Sequence, residues 1–162
     1  MKPAEVSTPS NREVLVKRSF DAPVKLVWQA YTEPAVMRRW LLGYPGWSMP
    51  VCEMATQVGG KYRWRWRYNE NGQEFGFTGE MLEVALHSKI VHTQIYDPGD
   101  LGGSMGGEPY IVTVTFNETS GITNVATTIK FASQADRDAA MSTGMTDGME
   151  VNYQLLDGVL AS

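Results

Sequence analysis

Residues 61–68 read KYRWRWRY, with Lys61, Arg63, Arg65 and Arg67 on one parity and Tyr62, Trp64, Trp66 and Tyr68 on the other. Side chains of a β-strand alternate between its two faces, whereas a helix would scatter both sets around its circumference. The segment therefore reads as a strand with an aromatic face and a cationic face. The rings bring a large apolar area that belongs in a core or a cavity wall. Burying the cations would cost far more than burying the rings gains, so their face meets water or acidic partners. Glu74 and Glu80, on the following strand, are placed to pair with them across the ladder.

The chain has 162 residues, 43% hydrophobic and 20% charged. That length and composition suit one domain with a sizeable core. No apolar run approaches the roughly 20 residues of a membrane span, so no membrane insertion is expected. A net charge of −4 argues against nucleic-acid partners. Alternation also puts the rings and the cations of residues 61–68 on opposite faces, where base stacking and phosphate contacts would need one shared face. Cys52 is alone and the histidines are His87 and His92 only, so neither a disulfide nor a metal site is expected, and no cofactor is implied. Residues 1–11 are polar, contain Pro and Ser, and lack the apolar stretch of a secretory signal. They read as a disordered leader before a single domain over 12–162, and the expected location is the cytoplasm.

Strand-like EVLVKRSF at 13–20 is followed by Asp21 as a helix cap and Pro23 in the first turn. A short helix over 23–31 carries Val24, Val27, Trp28 and Tyr31 to one side, and a second runs from Thr32-Glu33-Pro34 through Trp40. Strand candidates follow at 48–54, 60–69, 74–86, 89–96, 109–117 and 122–131, joined by turn-forming segments. The glycine-rich stretch 98–109 reads as a mobile loop near a cavity entrance. Ser133 opens a long helix to Leu160 with Met141, Met145, Met149, Tyr153, Leu156 and Leu160 in one stripe. Gly144, Gly148 and Asn152 lie beside that stripe. Glycine inside a helix costs about 1 kcal/mol relative to alanine, so these positions call for close approach to the sheet or room for something bound.

This order, a strand, two short helices, an antiparallel meander and a long C-terminal helix, is that of the α+β helix-grip fold, in which a curved antiparallel sheet wraps the last helix. RSFDAPVKLVWQAYTEPAVMRRW at 18–40, VGGKYRW at 58–64, GEMLEV at 79–84 and GMTDGMEVNYQLLDGVL at 144–160 carry the match further. Together they resemble the homologues of the activator of heat-shock protein 90 ATPase, within the START-like, polyketide-cyclase-like (SRPBCC) superfamily. The resemblance covers roughly residues 12–160 and implies a bacterial protein with a cavity between sheet and helix.

If that fold holds, Tyr62, Trp64 and Trp66, Phe75 or Phe77, His92, Tyr96, and Met145, Met149 and Tyr153 from the helix converge on the cavity. Rings with adaptable methionines make a wall for an apolar ligand. Trp40 and Trp47 flank the Gly-Pro turn, where they either close one end of the cavity or form dimer contacts. A catalytic reading would draw on His92, Tyr96, Glu80 or Glu83, and Asp147 or Glu150, but no catalytic residue is assigned. Cys52 reads as a small buried hydrophobe. No nucleophile-elbow, metalloprotease or dinucleotide motif is present. The function expected is binding of a small hydrophobic ligand, lipidic or aromatic. The alternatives are a cyclase-like or hydrolase-like enzyme and a chaperone-interacting or homodimeric structural protein with a filled cavity.

Overall fold

Backbone pairing along the alternating segments builds an antiparallel sheet, described in a computed structural model that covers residues 1–99 and 108–162. In chain order the elements are β1 (Glu5–Ser7), β2 (Glu13–Phe20), α1 (Val24–Thr32), α2 (Pro34–Trp40), β3 (Trp47–Met54), β4 (Lys61–Tyr68), β5 (Glu74–Ala85), β6 (Lys89–Asp97), β7 (Tyr110–Thr119), β8 (Ile122–Lys130), α3 (Gln134–Ser142) and α4 (Met145–Ala161). The sheet order β1-β2-β8-β7-β6-β5-β4-β3, with the helices packed on one side, is the expected α+β helix-grip fold.

Turn chemistry explains the meander. Thr119 pairs with Ile122, so the β7–β8 hairpin has a two-residue loop. Ser120 and Gly121 both take positive φ there, at 53° and 80°. That is the turn type whose twist matches paired strands. The loop is shorter than residues 117–121 suggested, because β7 continues to Thr119.

The first strand and the helix termini depart from the sequence reading. Glu5–Ser7 lies within the expected disordered leader but pairs with β2, Glu5 opposite Lys17 and Ser7 opposite Leu15. Its side chains are exposed, so backbone bonds hold it and no hydrophobic pattern marks it. The α1 N-cap is Pro23, with no side-chain cap bond of its own. Glu118 replaces the expected Asp21 cap, its Oε1 accepting the Val24 N–H at 2.7 Å. Ser133 does cap α3, accepting the Asp136 N–H at 3.1 Å. The single long helix expected over 133–160 breaks at Gly144, which takes φ 80°. Left-handed backbone is open to glycine at little steric cost, so Gly144 ends one helix and starts the next. The interior-glycine argument then applies to Gly148 and not to Gly144.

The core lies between the inner sheet face and the helices, where Val16, Phe20, Trp28, Val114, Phe116 and Leu156 are buried together. One cation sits among them. Arg18 shares the inward parity of Val14, Val16 and Phe20, is 4% exposed, and joins Glu150 and Asp157 of α4. Residues 100–107, most of the glycine-rich stretch expected as a mobile loop, lie outside the described residues.

Candidate functional site

Register carries the aromatic parity of β4 across neighbouring strands. Trp64 stands between Cys52 of β3 and Phe77 of β5, and Phe77 in turn faces Tyr96 of β6. Trp66 stands beside Phe75, and Tyr62 beside Gly79. The rings form one contiguous array. Tyr62 and Trp64 are 4.4 Å apart by centroid, Tyr62 and His92 4.9 Å, Trp66 and Phe77 5.9 Å, and Phe77 and Tyr96 5.6 Å. All are in the range of favourable aromatic pairs.

On the opposite face, Lys61, Arg63 and Arg67 are exposed, and Arg65 is half-buried. Arg65 bonds Glu74 at 3.0 Å and Asp97 at 2.6 Å, Arg67 bonds Glu74 at 2.7 Å, and Lys61 reaches Glu80 at 3.3 Å. Bonds from Arg67 and then Arg65 hold the Glu74 carboxyl below its ordinary range. Both the facing and the pairing expected from alternation are realised.

The polar detail of the wall centres on the Thr93 carbonyl. Tyr62 donates its hydroxyl to that oxygen at 2.6 Å, and His92 Nδ1 lies 2.8 Å from it. A carbonyl only accepts, so Nδ1 carries the proton and Nε2 of the neutral ring is bare. Burial pushes the His92 pKa down, which keeps the ring neutral. Gly79 makes room for this arrangement: a Cβ there would collide with the Thr93 oxygen and the Tyr62 ring. The indoles differ. Trp66 Nε1 donates to the Leu41 carbonyl at 2.6 Å and Trp40 Nε1 to that of Ala30 at 2.8 Å, whereas Trp64 Nε1 is buried with no partner among the described residues.

Tyr62, Trp64, Trp66, Phe77, His92 and Tyr96 thus stand together. Met145 and Met149 are half-buried on α4 and pack against the main cluster. Two further candidates sit in the core. Trp40 is 3% exposed with its ring 5.1 Å from Tyr31, and it ties α2 to α1. Tyr153 is 4% exposed, edge-on to Phe20 at 5.6 Å, with its hydroxyl pKa pushed up to about 12 by burial. A Cβ on Gly148 would meet nothing within 4 Å, so the helix is open there. Of the acids weighed for catalysis, Glu150 is engaged by Arg18 and Asp147 is exposed.

Sequence reasoning missed Arg18. Its inward parity in β2 and the spacing of Glu150 and Asp157 on one helix face were the available signals. Two open recesses lie on the outer surface: about 650 Å³ beside Lys2, Lys17 and Asn124, and about 510 Å³ over Arg63, Thr78 and Ile95. Among the described residues no His, Cys, Asp and Glu group is placed to hold a metal, and no helix is long and apolar enough to cross a membrane.

The sequence model of the family described as activator of Hsp90 ATPase homolog 1-like protein matches residues 21–161. The chain belongs to this family. A crystal structure of a Rhodobacter sphaeroides protein is similar at TM-score 0.90 and 28% identity, over 99% of each chain. Proteins of Mycobacterium smegmatis (TM-score 0.84, 19% identity, 98% of this chain and 97% of that one) and Nitrosomonas europaea (TM-score 0.81, 21% identity, 95% and 97%) share the fold. No curated protein matches the chain at a significant level.

Proposed function

We propose that this family member binds a small hydrophobic molecule, lipidic or aromatic, between the ring array of β4–β6 and α4. The observation that carries the reading is incomplete burial on the inward face. Trp64, Phe77 and Tyr96 point inward yet stay half-buried, and Met145 and Met149 on α4 are half-buried too. A close-packed interior would cover such side chains. Concave apolar surfaces with few polar groups are the usual form of small-molecule sites, and each Å² of apolar area removed from water contributes about 25 cal/mol. The open space at Gly148 supports the same reading, since it leaves room beside Met145 and Met149. In this reading the protein meets its ligand in the cytoplasm.

Native mass spectrometry of the purified protein tests the proposal, together with titration of an apolar fluorescent probe followed through tryptophan quenching. A retained mass that the probe displaces, or saturable uptake of one probe per chain, is expected. Absence of both would overturn the reading in favour of an interior filled by its own side chains.

A further inference from the structure

One row of side chains on the outer sheet face is uncommitted. Strand register sets Glu53 of β3 opposite Arg63 of β4, Arg63 opposite Thr78 of β5, and Thr78 opposite Ile95 of β6. Glu53 and Arg63 are exposed, yet among the described residues neither makes an ion pair or a side-chain hydrogen bond. Ile95 ends the row, a large apolar side chain 44% exposed. The rows on either side are closed: Arg65 holds Glu74 and Asp97 on one, and Lys61 reaches Glu80 on the other. All four residues of the open row line the outer recess of about 510 Å³, together with Lys61, Glu80 and Thr93.

We propose that this recess takes a free α-amino acid with an apolar side chain. Neighbouring strands are about 4.8 Å apart, so the row sets an anion and a cation side by side, with an apolar group two strands beyond the cation. A zwitterion matches that order. Its carboxylate meets the Arg63 guanidinium, its ammonium meets the Glu53 carboxylate, and its side chain lies over Thr78 toward Ile95. A guanidinium offers a carboxylate two N–H donors in one plane, and an ammonium has only donors, which a carboxylate accepts.

A ligand of one sign fits less well. Glu53 and Glu80 would repel an anion and Lys61 and Arg63 a cation, so the balanced recess favours a molecule that carries both charges. The row lies on the opposite face of the sheet from the aromatic array, which makes this inference independent of the hydrophobic-ligand reading.

Amide NMR titration of the intact chain at neutral pH tests it with L-phenylalanine, 3-phenylpropionate and 2-phenylethylamine. Phenylalanine is expected to shift the amides around Glu53, Arg63, Thr78 and Ile95, and each compound that lacks one charge should bind about fivefold more weakly. Arg63→Gln should lower phenylalanine affinity about fivefold without weakening 2-phenylethylamine, which has no carboxylate to lose. Glu53→Gln should do the same with 3-phenylpropionate as the unweakened probe. Both side chains are exposed, so the fold should tolerate their replacement. Equal binding of the three compounds, or shifts confined to the inner ring array, would overturn the assignment. So would no response to phenylalanine, which would mean that Arg63 and Glu53 neutralise each other within the sheet. Concentration-dependent association of the chain that Arg63→Gln abolishes would give the row to a second copy and overturn the amino-acid site.

Discussion

Arg18 and Asp157 meet in a two-pronged contact, Nη1 to Oδ1 at 2.9 Å and Nη2 to Oδ2 at 2.8 Å, that joins β2 to α4 across the core. The same guanidinium bonds Glu150 at 3.2 Å and lies 5.2 Å from the Phe20 ring centre. Glu150 also accepts the Ala4 N–H at 2.8 Å, so one cation ties the N-terminal segment, the sheet and the last helix together. Arg18→Ala should destabilise the protein by about 3 kcal/mol, since it leaves two carboxylates facing the core without their counter-charge. Asp157 remains about a third exposed, which places the cost at the lower end of such losses. Urea denaturation of the single variants and of Arg18→Ala with Asp157→Asn should show coupling between the two sites. Strict additivity would mean that the contact contributes nothing.

Acid should weaken this tie. Burial alone would raise the Glu150 carboxyl, but bonds from Arg18, the Ala4 N–H and Gln154 hold it below its ordinary range. A carboxyl whose pKa is lowered by folding contributes stability that is present above its unfolded value, about 4.3, and lost as pH falls through its folded value. Stability should therefore drop below about pH 4.3. Glu150→Gln should show a shallower drop in the same window. Parallel curves would place the acid sensitivity in other carboxylates.

His92 acts in a higher window. Burial lowers its pKa, so the folded state takes up its proton later than the unfolded chain does as pH falls. The stability contributed by the neutral ring is complete above about pH 6.5 and declines below it toward the folded value. His92→Phe should flatten the fall of the denaturation midpoint just below about pH 6.5 relative to the parent. An unchanged slope there would exclude His92 as the source.

Two glycines should respond oppositely to alanine. A Cβ at Gly79 would collide with the Thr93 carbonyl and the Tyr62 ring, so Gly79→Ala should cost about 2 kcal/mol through forced movement of the backbone. At Gly158 in α4 a Cβ meets nothing within 4 Å, and Gly158→Ala should stabilise by about 0.5–1 kcal/mol. Thermal melts of both variants check the contrast, and similar melting points would contradict it.

Gly148→Leu separates packing from ligand space. No atom lies within 4 Å of the added Cβ, so the fold should tolerate the substitution and gain helix propensity. The larger side chain should occupy the space beside Met145 and Met149 and weaken uptake of an apolar probe at least about tenfold. An unaltered probe titration in a folded variant would remove this helix face from the site.

Local pattern alone determined much of this protein. Strict alternation in KYRWRWRY set both the strand and its facing, since parity and the cost of burying cations leave one arrangement. Turn residues marked the hairpins, Ser133 marked a helix start, and the quoted segments pointed to the family. Tertiary structure decided the remainder. β1 exists because β2 has an open edge whose backbone groups need partners, a property of the assembled sheet. The break at Gly144 depends on a left-handed φ that a continuous helical pattern from Ser133 to Leu160 does not disclose. Trp40 and Tyr153 carry the same apolar signature as Trp64 and Phe77, but only the packing of α1, α2 and α4 puts the first pair in the core and leaves the second half-exposed. Arg18 pairs with residues 132 and 139 positions along the chain, a separation at which sequence spacing carries no distance and only the folded backbone brings the charges together.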